Sequence, residues 1–186
     1  MKAKPITLIL TLLFCLSGSV FAEEESISEN IIPLKNLNAH ILKLEKMDKI
    51  FEDISFDVYK EGNAANSIAK LRQAESDMDW IRQLQYKVKD VKSSLIPIVI
   101  SLKYEQIISV EKIDNSKLMQ NHHTMRKLNF SNANKNIDFN LKGFKYMKGL
   151  ITHSTAKSTI ALLVEEVESI EKWLKMNMNF QFKWEK

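Results

Sequence analysis

Residues 34–58, LKNLNAHILKLEKMDKIFEDISFDV, decide the fold class of this chain. Leu34, Leu37, Ile41, Leu44, Met47, Phe51, Ile54 and Val58 recur at steps of three or four, with Lys, Asp and Glu filling the gaps. That spacing lays one apolar stripe along a helix, which must bury the stripe against other helices to be stable. Pro33 stands where a first-turn proline is tolerated, Asn30 is placed to cap the helix, and the stripe ends near Gly62.

Downstream the same pattern returns. With Asn63 as its cap, a second helix carries Ala64, Ile68, Leu71, Met78, Ile81, Leu84, Val88, Val91 and Leu95. Ser93, Ser94 and Pro97 interrupt it, and a break there with a third helix starting at Ser94 lets the chain fold back and bury more apolar surface. The apolar run LIPIVISL (95–102) is read as the start of that helix inside the core; its other reading is a partner-binding patch. Residues 121–136, with Asn129, Asn132, Asn134 and Asn136, read as a polar connection. A last helix carries Phe144, Met147, Ile151, Ile160, Leu163, Val167, Ile170 and Leu174, supported by the i,i+4 pairs Glu168–Lys172 and Glu171–Lys175.

Two stretches alternate with period two instead. Leu128/Phe130 and Ile137/Phe139/Leu141 flank the asparagines as the arms of a hairpin would, and Met178, Phe180, Phe182 and Trp184 alternate at the C-terminus. The expected fold is therefore mostly α, an elongated coiled-coil-like bundle of three or four long helices with a small β-hairpin or C-terminal strand.

Composition agrees with one globular domain. The 186 residues are 45% apolar and carry 27 Lys+Arg against 23 Asp+Glu, with one cysteine. Residues 1–22 read as a cleaved signal peptide: Lys2 and Lys4 precede the apolar run Ile6–Leu16, and Val20 and Ala22 sit where a signal peptidase reads. Cleavage after Ala22 places the protein in the periplasm or outside the cell, with 23–33 a flexible acidic lead-in and 34–186 a single helical domain. It also removes Cys15 and two lysines, leaving no thiol chemistry and a net charge of about +2 that gives little attraction to nucleic acid.

No phosphate loop, nucleophile elbow, dinucleotide fingerprint or H-E-x-x-H helix occurs in the sequence. The histidines are His40, His122, His123 and His153, and none has a Glu three residues before it as diiron bundles require. They read as surface or connector residues, with a His122/His153 metal or proton-sensitive site as the alternative. Glu165, Glu166, Glu168 and Glu171 read as a solvated face. The expected function is thus a non-catalytic, exported protein-binding module without a cofactor: an inhibitor, an immunity-type protein or an accessory envelope or secretion component. The alternative is a small-ligand or metal carrier with its site between the helices. Candidate partner contacts are the basic arc Lys142, Lys145 and Lys148 and the aromatic end Phe180, Phe182 and Trp184.

Overall fold

The computed structural model describes residues 6–111 and 116–179, with side chains over 33–107 and 120–179. Four helices make up the described residues: α1 (Ile6–Asn63), α2 (Ile68–Glu111), α3 (Ser116–Leu150) and α4 (Ser154–Asn177). Each packs on the next in sequence, and α4 returns to α1, closing an up-down-up-down ring. α2 alone, at 44 residues, is about 66 Å long at 1.5 Å per residue.

The core follows the apolar stripes. Leu37, Leu44, Phe51, Ile54 and Val58 of α1 are buried, with Ile41 and Met47 packed at their margin. On α2 the buried positions include 77, 81, 84, 88, 91, 95, 98, 102 and 105; on α3 they include 126, 130, 133, 137, 140, 144 and 147. Both series alternate steps of four and three, the 3.5-residue repeat of helices that stay in contact along their length. The period is consistent with a coiled-coil-like bundle.

Several local expectations need correction. Among the described residues there is no strand: Leu128–Leu141 lies inside α3, where Phe130 and Ile137 point into the core and Leu128 and Phe139 point out. Residues 180–184 of the expected C-terminal strand lie outside the described residues, and Met178 follows α4 as a turn. The asparagine-rich 121–136 is helical as well. Pro97 stands inside α2 and ends nothing. A proline in a helix interior costs roughly 3 kcal/mol, which full burial of Leu95, Ile98 and Leu102 on the inner face offsets. Pro33 is likewise internal to α1, so Asn30 does not cap it. The cap of α2 is Ser67, whose Oγ accepts from the Lys70 amide at 3.3 Å, and Ile68 and Leu71 are exposed. Finally, the last apolar stripe is shared by two helices, which break at Ile151–His153.

That break is organised from a distance. Asp77 of α2, 3% exposed, accepts from the amides of Thr152 and His153 (both 2.9 Å) and from the Thr152 hydroxyl (2.7 Å). His153 then caps α4 by accepting from the Ala156 amide at 3.4 Å. Asp77→Ala leaves these donors with water or nothing, and a lost cap or hydrogen bond to a charged group is worth about 1–3 kcal/mol. The urea midpoint should fall accordingly, with Asp77→Asn intermediate between Ala and the parent chain.

Polar contacts also set the register of α3 on α2. Asp90 accepts from Asn136 and Asn140 (both 2.8 Å), Ser101 Oγ accepts from Asn129 (3.1 Å), and Glu105 accepts from Arg126 (3.0 Å). Lys87 lies across Gly143, where an added Cβ would stand 2.9 Å from its Cε, and from there it donates to Asn140 Oδ1 at 3.3 Å. The missing side chain at 143 is what gives the lysine stem its path.

Candidate interaction surface

The end of the α2–α3 pair that holds Glu105 and Arg126 is unlike the rest of the bundle. Its inner layer is charged: Glu105 is 3% and Arg126 1% exposed. Burial pushes the Glu105 carboxyl up to about 7, against the pull of the Arg126 guanidinium. His123 Nδ1 lies 3.1 Å from Arg126 Nη2 and, facing a group that only donates, must accept. His122 stacks on Tyr104 with ring centroids 4.4 Å apart, its Nδ1 3.6 Å from Glu105. Burial, and then the neighbouring Arg126 charge, hold both histidines below their ordinary pKa.

Outside this layer the surface is apolar. Ile96, Ile100 and Ile107 are 47, 62 and 54% exposed, and Met125 and Leu128 of α3 are more than half exposed at the same level. Ile96, Ile100, Lys103 and Ile107 repeat the four-three-four spacing of the core on the opposite side of α2. The run 95–102 therefore divides, with Leu95, Ile98 and Leu102 in the core and Ile96 and Ile100 facing solvent. Alongside lies an open recess of about 250 Å³ lined by Ser94, Pro97, Asn129, Asn132, Ala133 and Asn136.

Other candidate residues are placed as follows. His122 and His153 fall at opposite ends of α3 and share no site. Among the described residues no three His, Cys, Asp or Glu side chains converge to hold a metal ion. Glu166 is not part of a solvated face: it is 8% exposed and accepts from His40 (2.6 Å) and Lys43 (2.9 Å), joining α4 to α1. Glu171 pairs with Lys175 at 2.6 Å as expected. Lys142 and Lys145 both lie on α3 but pair with Asp138 and Glu168, each at 2.7 Å, while Lys148 is exposed. Phe180, Phe182 and Trp184 lie outside the described residues.

Hydropathy reading missed Asp77, Glu105, Arg126 and Glu166 as interior residues, because charged side chains read as surface. The signal that finds them is positional: Asp77, Glu105, Arg126 and Glu166 stand on the 3.5-residue register of their helices' apolar residues.

These features define a helical bundle that leaves an apolar row of α2 exposed. No protein-family model, curated protein or solved structure matches the chain. Among the described residues no helix is long and apolar enough to cross a membrane.

Proposed function

We propose that this protein is an exported, non-catalytic protein-binding module that works in the periplasm or outside the cell. The observation that carries this reading is the row of isoleucines Ile96, Ile100 and Ile107, exposed to water at helical spacing on α2. β-Branched aliphatic side chains exposed at helical spacing on a rigid element are the ordinary material of a macromolecular contact. Inhibition, immunity to a secreted effector and support of an envelope or secretion assembly all use such a surface. The basic arc is a weaker place for the contact, since two of its three lysines already hold acids of the same chain.

Affinity capture of the tagged protein from envelope extract of the producing cells, followed by native mass spectrometry, tests the reading. A second polypeptide in fixed stoichiometry is expected. A small molecule or metal ion bound to the chain, with no polypeptide, establishes the carrier instead. N-terminal sequencing of the exported protein should begin at Glu23, and an intact Met1 in the membrane fraction overturns export.

A further inference from the structure

We infer that the exposed face of α2 around Ile100 receives an acidic amphipathic helix from another protein. This rests on the protein-binding reading above and adds the place and the chemistry of the partner.

The spacing carries the first part. Ile96, Ile100 and Ile107 are aligned by the same four-three-four steps that align the core, over eleven residues or about 16 Å of helix. A strand rises about 3.3 Å per residue and meets such a row only at isolated points. A helix with apolar residues every three or four positions can follow it, setting its side chains between successive isoleucines as the buried seams of this bundle do.

Charge carries the second part. Over residues 93–107 of α2 and 120–136 of α3, the exposed charged side chains are Lys103, Lys127 and Lys135. The one acid in these segments, Glu105, is buried and accepts from Arg126. Lys103 stands within the isoleucine row, between Ile100 and Ile107. Lys127 lies about five turns from Lys145, on the side of α3 toward α4, and Lys92, one turn before Ile96, is paired with Glu45 of α1 at 3.4 Å. At the row itself an incoming helix flanked by lysines therefore meets the like charge of Lys103, whereas one flanked by Glu or Asp finds that cation beside its apolar stripe.

A photo-crosslinking residue, p-benzoylphenylalanine, placed in turn at Ile100, at exposed Leu162 on α4 and at Trp184, tests this in the producing cells. The expected result is an adduct from position 100, but not 162, whose crosslinked peptide is an acidic amphipathic helix of a different protein. Ile96→Glu or Lys103→Glu, both at exposed positions, should then reduce its yield about tenfold while circular dichroism stays unchanged. Protein adducts at 162 or 184 without one at 100 overturn the docking face and leave the binding module standing. So does an adduct at 100 to lipid, to a basic or non-helical segment, or to a second copy of this chain. Absence of protein adducts at all three positions overturns both.

Discussion

At pH 8, where Glu105 is ionised, Arg126→Ala is expected to lower the stability of the folded chain by roughly 3–5 kcal/mol, because it strips the counter-charge from a carboxylate shut away from water. Arg126 is the bulkiest of the fully buried side chains, and its Nη1 lies 3.0 Å from Glu105 Oε2. Removing both charges should cost far less: Glu105→Leu with Arg126→Met fills similar volume without desolvating an ion. Urea melts of Glu105→Leu, Arg126→Met and the double variant should therefore form a cycle in which the two single costs sum to far more than the cost of the double.

The same pair makes stability depend on pH in a particular direction. Glu105 has a folded pKa of about 7 against an ordinary 4.5, so between those values the folded chain holds a proton that the unfolded chain has released. Its contribution is most favourable below about 4.5 and is lost as pH rises through 7, by up to about 3 kcal/mol. His122 and His123 act oppositely: their lowered values mean that the unfolded chain takes up protons first, so stability falls as pH drops below 6.5. Glu105→Gln removes only the first effect. The stability of the parent chain relative to Glu105→Gln should fall between pH 5 and pH 8; a constant difference would mean that Glu105 is ionised throughout.

Phe130→Ala is the second large effect, expected at roughly 3–5 kcal/mol. The ring is fully buried on α3 and stacks on Trp173 of α4 at 5.9 Å between centroids, with 20° between planes. Truncation both withdraws apolar contact and opens a cavity between helices that Asp77 holds at one end only. The Tm should fall by roughly 6–20 °C, at about 2–4 °C per kcal/mol for a chain of this size, and Trp173 emission should shift to longer wavelength as water reaches the indole. Leu128→Ala, two residues away on the exposed side, should change neither by much.

Most of the apolar core was legible in the sequence, since Leu37 through Val58 and Phe144 through Leu174 sit inside as their spacing requires. The middle of α3 was not, for a physical reason. Asparagine has low intrinsic helix propensity because its side chain competes for nearby backbone groups. In this bundle Asn129, Asn136 and Asn140 bond instead to Ser101 and Asp90 on α2, a satisfaction that exists only after the helices have met. Period two in Leu128/Phe130 and Ile137/Phe139 misled similarly: on a helix, one member of each pair points inward and the other outward. The exposed isoleucines were legible as an apolar run, but which of them face out depends on how α1 and α3 flank α2.

The polar contacts between α2 and α3 also bear on which wrong structures this chain avoids. A 3.5-residue repeat has a built-in ambiguity, since sliding one helix by seven residues, about 10 Å, brings apolar layers back into coincidence. Such a slip would set the Arg126 guanidinium against Ile98 and Asn140 against Gln83, and Asp90 would lose both of its amide donors. Each stranded group forfeits the full cost of its desolvation, so the shifted bundle is a decoy with an intact apolar seam and a ruined polar one. Glu105, Ser101 and Asp90 thus act as a key cut at three depths, and only one alignment of α3 turns it.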